Sequence, residues 1–258
     1  MSNDPQRIVV FGAAGWVGRA VLASLAERHT VRAVDIGPEA WKAYEDIDGA
    51  WEGEVVHGDI ADYEHVSAAI QDMDAIVHAT ILGGGVRGSG YQTNDDRPWL
   101  VNLKGMWNVL EVARQQEIRR IVHIGSCQVQ HPGGVFFDAD VRRPDGSPYA
   151  VSKRLQEEMC RQFHAAFGLS IVVLRPCSIV DSHLGITKYR KPLEQQGVSA
   201  VCRHDLAEAC RLAIEKEDIG LEVLHTAGLP EADQYCNAAR GRQVLGLEYR
   251  GDLRRFPE

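Results

Sequence analysis

Three glycines at one spacing set the first constraint on this chain. Gly12, Gly15 and Gly18 follow directly on the apolar, β-branched run Ile8 to Phe11. They open a stretch, Trp16 to Glu27, whose Val17, Val21, Leu22 and Leu25 recur at helical spacing. A strand turning into a helix across glycines lets the backbone approach a ligand closely. The helix N-terminus there offers unpaired N–H groups and a favourable dipole to a pyrophosphate. Taken alone, such a turn also fits a tight connection with no ligand.

The rest of the chain repeats the strand–helix alternation. Strand patterns are expected at Thr30 to Val34, Val55 to His57, Ala75 to His78, Arg120 to Ile124 and Ser170 to Leu174. Helical patterns fall at Tyr63 to Gln71, about Pro98 to Gln116, and Pro148 to Phe167. Continuously apolar strands separated by helices predict a parallel sheet covered on both faces. Right-handed crossovers make it a doubly wound α/β fold of the Rossmann kind. Residues 1–176 are expected to form the dinucleotide-binding domain. Residues 177–258 form a small C-terminal substrate-side region, with a helix at Asp205 to Glu215, a strand at Leu221 to Thr226 and no clear pattern in the last thirty residues. The loop Ile81 to Arg97, rich in glycine, is a candidate lid.

Composition narrows the function classes. A net charge of -8 argues against a nucleic-acid partner, which needs clustered Lys and Arg. Cysteines stand at 127, 160, 177, 202, 210 and 236, with no CxxC pair, and no His cluster has zinc-ligand spacing, so no metal is expected. Scattered thiols fit a reduced, cytoplasmic protein. Met1 to Arg7 is polar and short, unlike a signal peptide, and no apolar run approaches the roughly 20 residues of a membrane helix.

Two further positions bear on a cofactor. Asp35 ends the second strand, 17 residues after Gly18. A carboxylate there accepts hydrogen bonds from both adenosine ribose hydroxyls and repels a 2′-phosphate, which favours NAD over NADP; the competing reading is a solvated strand-end acid. Asp59 ends the third strand and is placed either against the adenine or as an N-cap of the following helix. At the end of the fourth strand, His78-Ala79-Thr80 offers small residues past which a cofactor can run.

Tyr149 and Lys153 lie four apart on one expected helix and share a face. Ser147 and Pro148 read as its N-cap and first residue, which puts Tyr149 at the helix start. An ammonium beside a phenol favours the phenolate. Ser126, at the end of the fifth strand, is placed to hold a substrate oxygen. An exposed helix face is the bland alternative for the Tyr–Lys pair, and the agreement in position of all three residues speaks against it.

Taken together these segments resemble the short-chain dehydrogenase/reductase superfamily, in its extended, sugar epimerase/dehydratase-like branch. The matching pieces are Gly12 to Gly18, Asp35, Asp59-Ile60, His78-Ala79-Thr80, Asn102 to Gly105, Gly125-Ser126, Tyr149 to Lys153, Arg175-Pro176 and His204-Asp205. The resemblance implies NAD bound by Gly12, Gly15, Trp16, Val17, Gly18, Asp35, Asp59, Ile60, His78, Ala79, Thr80, Asn102, Lys153 and Pro176. It implies catalytic roles for Ser126, Tyr149 and Lys153, and a homodimer built on the helices around 103–116 and 149–167. Within the branch the chain is most similar to the uronate-oxidising group, which implies a small sugar or sugar acid as substrate. Ser126, Cys127, Gln128, Tyr149, Ser178 and Arg190 would then contact that substrate, Arg190 by clamping a carboxylate. That group has Asn-His where this chain has Cys127-Gln128, and the loop at 81–97 is longer here. Two other functions keep the same fold: an epimerase on nucleotide sugars that retains its NAD, and a non-catalytic NAD-binding regulator.

Overall fold

The computed structural model describes residues 4–83, 96–118, 120–136 and 143–256. Strand β1 (Arg7–Phe11) passes through the glycine turn into helix α1 (Trp16–Ala26), then β2 (Thr30–Asp35), β3 (Glu54–His57), α2 (Tyr63–Ile70) and β4 (Ala75–His78). There follow α3 (Gly105–Gln115), β5 (Arg120–Ile124), α4 (Pro148–Phe167) and β6 (Ser170–Pro176). The remainder holds β7 (Ser178–Asp181), β8 (Ile186–Thr187), β9 (Ala200–Cys202), α5 (Arg203–Glu215), β10 (Leu221–Thr226) and α6 (Ala238–Leu245).

Seven strands form one parallel sheet in the order β10-β6-β5-β4-β1-β2-β3. Strand residues alternate between two cores because successive side chains point to opposite faces. Ile8 and Val10 pack with Val21, Leu22 and Leu25 of α1 and Leu206 and Ala209 of α5. Val9 and Phe11 pack with Ile70 of α2, Val109 and Leu110 of α3 and Phe163 of α4. A sheet coated on both faces buries its central strands, which is why β1, β4, β5 and β6 are mostly apolar, while the edge strand β3 stays largely exposed. The order reverses between β1 and β4, and in such sheets the ligand crevice opens at the strand carboxyl ends at that reversal.

The region after Pro176 contributes to both halves of the molecule. Strand β10 pairs along its length with β6 and becomes the seventh strand of the main sheet. Strands β7, β8 and β9 make a separate small sheet. The division at 176 is therefore a proposal about roles, with the later residues supplying part of the sheet as well as the small sheet beside the cleft.

Arg203 joins the small sheet to the glycine turn. Its guanidinium is buried, forks onto Asp48 at 2.7 and 2.8 Å, reaches Asp181 at 2.7 Å, and lies 4.2 Å from the centre of the Trp16 ring. The fold also brings His183 and His204 to Asp181 with ligand atoms within 4.8 Å of one another, a grouping the spacing did not suggest. The Arg203 cation already occupies that carboxylate. No helix among the described residues is long and apolar enough to cross a membrane.

Candidate active site

At the carboxyl ends of the sheet lies a cleft of about 1740 Å³. Its first end is the glycine turn. Gly12 has φ +78°, and a Cβ there would sit 2.8 Å from the backbone of Ala79 and Thr80. A Cβ on Gly18 would fall 2.1 Å from the carbonyl oxygen of Gly12. Both positions therefore require glycine, one for strand-to-strand approach and one for helix-on-turn packing. No side chain caps the start of α1 at Gly15, and its first turn holds no acid. That leaves Trp16, Val17 and Gly18 lining an N-terminus suited to an anion.

Asp35 lies beside this turn at the rim of the cleft. Its carboxylate accepts from the Ala14 and Ile36 N–H groups at 2.9 and 2.8 Å, which hold it at the end of β2. Tyr44, Ala40 and Ala43 line the same end and had no signal in the sequence, since they lie in and between two four-residue helical turns without periodicity. A dinucleotide fits here: an uncapped helix start for the pyrophosphate, an acid for the ribose, and small residues, Ala79 and Thr80, along the floor.

The second end is built by β5, β6 and α4. Ser147 caps α4 by accepting from the Ala150 N–H at 3.3 Å, and Pro148 takes the first helical position, as expected. Tyr149 is thereby delivered half-buried to the cleft wall, one turn before Lys153. Lys153 is buried, and its Nζ donates to the Ile124 carbonyl at 2.8 Å. Burial pulls its pKa down to about 7. Ser126 starts a short 3₁₀ turn, its Oγ accepting from the Gln128 N–H at 3.2 Å, so its own proton points elsewhere. Cys127, Gln128, Pro176 and Ser178 also line this end.

Behind Lys153 stands a pair that sequence reasoning missed in part. His78 of β4 and His123 of β5 are register partners, wholly buried, with their Nδ1 atoms 3.0 Å apart. Burial, then the Lys153 charge, drives His78 down to about 3 and His123 well below its ordinary value. Both rings are therefore neutral.

Five expected site residues fall outside the cleft lining. His78 turns into this pair, leaving the cofactor path to Ala79 and Thr80. Asp59 accepts from the Ala61 N–H and pairs with Arg97 at 3.0 Å; the helix it was a candidate to cap is capped by Asp62. Ile60 is buried under Gly105, whose Cβ position is 2.7 Å from it. Asn102 sits in a π-helical turn, Leu100–Lys104, and its amide makes two 2.9 Å hydrogen bonds with the backbone of Leu82. It steadies the approach to Gly83, which does line the cleft. Arg190 is the clear correction. At φ +61° it turns away to Asp46, at 2.7 and 3.0 Å, and to the Ala43 carbonyl, so it closes the substrate-side loop onto the cofactor side instead of facing a substrate. Thr187, Lys188 and Tyr189 of the same loop line the cleft in its place. The candidate lid lies mostly outside the described residues.

Fold and cleft together define a dinucleotide-binding protein of the doubly wound α/β class. The chain belongs to the NAD dependent epimerase/dehydratase family, whose sequence pattern matches residues 8–192. It is similar to the uronate dehydrogenase of Pseudomonas putida, 31% identical over 183 residues that cover 68% of this chain and 62% of that one. It is 27% identical over 188 residues to the 3 beta-hydroxysteroid dehydrogenase/Delta 5-->4-isomerase of Mycobacterium tuberculosis, covering 69% of this chain and 48% of that one. The chain thus spans about half the length of the mycobacterial relative. Among solved structures, the uronate dehydrogenase from Agrobacterium tumefaciens superposes with a TM-score of 0.71 at 25% identity, covering 95% of this chain and 84% of that one.

Proposed function

We propose that this chain is an NAD-dependent dehydrogenase that oxidises a hydroxyl of a sugar or sugar acid, with Tyr149 as the proton acceptor. One observation carries the reading: a single cleft is lined at one end by the glycine turn and Asp35, and at the other by Ser126, Tyr149 and Lys153. Gly12, Gly15 and the N–H groups at the start of α1 would hold the pyrophosphate, and Asp35 the adenosine ribose. NAD, when bound, supplies the hydride acceptor.

The side chains manage the proton. Ser126 donates its free O–H to the substrate oxygen and holds it against Tyr149. Tyr149 as phenolate accepts the hydroxyl proton while the carbon–hydrogen bond breaks. A cation on Lys153 and an anion on Tyr149 favour each other, which offsets the desolvation that otherwise neutralises Lys153. The neutral His78–His123 pair places no competing positive charge beneath the ammonium. Fixed donors and a positioned base act chiefly through orientation and preorganised electrostatics.

Substrate identity is read from the relatives and from the cleft. The uronate dehydrogenases among the relatives support a sugar acid, and Lys188, which lines the cleft, is a second cation beside Lys153 that would meet a carboxylate. The exposed apolar side chains of Trp107 on α3 and of Leu155 and Phe167 on α4 support a homodimer across those helices. The test is a panel of uronic acids, aldoses and polyols with NAD and NADP. Net NAD reduction by a uronate or aldose is expected; retained NAD with isomerised sugar and no net reduction would point to an epimerase.

A further inference from the structure

Two thiols stand together at the substrate end of the cleft, and the proton chemistry above uses neither. Strands β5 and β6 run side by side with Ile124 opposite Leu174, and the Gly125 N–H donates to the Leu174 carbonyl at 2.7 Å. Cys127 and Cys177 each lie three residues beyond that matched pair, so the two chain exits carry them to the same place. Both line the cleft. Cys127 is fully buried and Cys177 only partly so. The two thiols perturb each other's acidity, Cys177 downward and Cys127 upward. The Cys177 thiol donates to the Gly134 carbonyl at 3.3 Å.

The two environments differ in kind. Cys177 is held below its ordinary pKa chiefly by the Cys127 thiol, then by the Ser199 hydroxyl and the Ser178 N–H, against the upward pull of burial. Cys127 is raised by its Cys177 neighbour and by burial. Cys160 and Cys210 are raised by burial alone or chiefly so, and Cys236 is pushed up to about 11. A partly exposed thiol of lowered pKa beside a buried thiol is the arrangement of an oxidant-sensing cysteine and its resolving partner.

We propose that Cys177 and Cys127 are a peroxide-sensitive modification site that closes as a disulfide across the substrate end of the cleft. The Cys177 thiolate attacks one oxygen of a peroxide; the O–O bond breaks, an S–O bond forms, and the departing hydroxide takes a proton to leave as water. Cys177 is oxidised to sulfenic acid and the peroxide is reduced. The Cys127 sulfur then displaces the hydroxyl: an S–S bond forms, the S–O bond breaks, and a second water leaves with the Cys127 proton. The bridge ties the turn that carries Ser126, Cys127 and Gln128 to the segment after Pro176. It also withdraws the Cys177 thiol from Gly134. Its formation is independent of the dehydrogenase reading, while its effect on turnover rests on that reading.

The test treats the reduced, full-length protein with hydrogen peroxide, then measures intact mass and maps the peptides. Wild type should lose two hydrogens through a Cys127–Cys177 link that dithiothreitol reverses. C127S should stop at a sulfenic acid on Cys177 that dimedone traps, and C177S should keep Cys127 reduced at the same dose. A Cys177 left unmodified while the unfolded chain is oxidised would overturn the proposal. So would a link from Cys177 to Cys236 in preference to Cys127, or sulfinic acid on Cys177 with no link. Turnover of the linked protein on the best substrate of the panel should fall about tenfold or more, and recover with dithiothreitol. A fully linked protein of unchanged turnover would overturn the effect on the substrate end. Absence of NAD reduction with every substrate, linked or reduced, would instead count against the dehydrogenase reading and leave the mass result to decide the site.

Discussion

Lys153 donates from Nζ to the carbonyl oxygen of Ile124 at 2.8 Å, tying α4 to the last sheet-paired residue of β5. One contact thus fixes the helix that presents Tyr149 against the strand that presents Ser126. It also puts an amine where water cannot solvate its charge, and burial lowers its pKa from 10.5 to about 7.

That displacement predicts a pH-dependent cost. Below about pH 7 Lys153 is protonated in both folded and unfolded chains, and the folded state carries the full desolvation penalty. Between about 7 and 10.5 the unfolded chain holds the proton and the folded one does not, so this contribution to stability rises with pH and the penalty has gone above 10.5. Without cofactor, K153M should melt higher than wild type near pH 6, with the gap closing toward pH 10, while its turnover collapses. Melting curves across that range check it; a gap that widens with pH would contradict it.

The buried histidines should set the acid limb of stability. His78 stays neutral in the fold down to about pH 3, whereas in the unfolded chain it takes a proton near 6.5. His123 and His225 shift the same way. Unfolding therefore binds protons as pH falls through 6.5, and stability declines from there toward 3. An H78F/H123F variant should show a shallower decline between pH 6.5 and 4, whatever its stability at neutral pH. Urea midpoints against pH measure the slope.

Asp35 is expected to select the cofactor. D35S removes the charge that a 2′-phosphate would meet, together with one acceptor for the ribose. NAD affinity should drop by about tenfold, the loss of roughly one charged hydrogen bond, and the preference for NAD over NADP should narrow. Calorimetric titration with both dinucleotides gives the ratio, and an unchanged ratio would remove Asp35 from the ribose site.

Arg203 tests the joint between the small sheet and the cofactor end. R203L leaves the Asp181 carboxylate buried without its guanidinium partner, and frees Asp48. Breaking a buried pair from one side costs about 3–5 kcal/mol. Guanidinium denaturation should show a loss of that size, and a loss within experimental error would mean the pair is solvent-relaxed.

Much of this is legible in the amino-acid sequence. Strands buried on both faces are mostly apolar, so β1, β2, β4, β5 and β6 announced themselves, and cap chemistry at Ser147-Pro148 marked the start of α4. Gly12, Gly15, Gly18, Asp35, Ser126 and Tyr149 stand at or next to element boundaries at the same sheet edge, and Lys153 follows Tyr149 one helical turn on, which is the signal the sequence carries for them. The small sheet was not, since strands of two to four residues carry no periodicity. Arg190 misled because its direction is set by a left-handed backbone and by Asp46, a partner 144 residues away. Tyr44, Cys177 and Ser199 reach the cleft only through tertiary packing, which leaves no local trace.

The most direct measurement follows the absorbance of reduced nicotinamide for wild type and Y149F on a hexuronic acid, with NAD binding measured on the same samples. Wild type should reduce NAD, and Y149F should bind it with unchanged affinity yet turn over about 10²–10⁴-fold more slowly. A Y149F protein that reduces NAD at the wild-type rate would contradict the assignment.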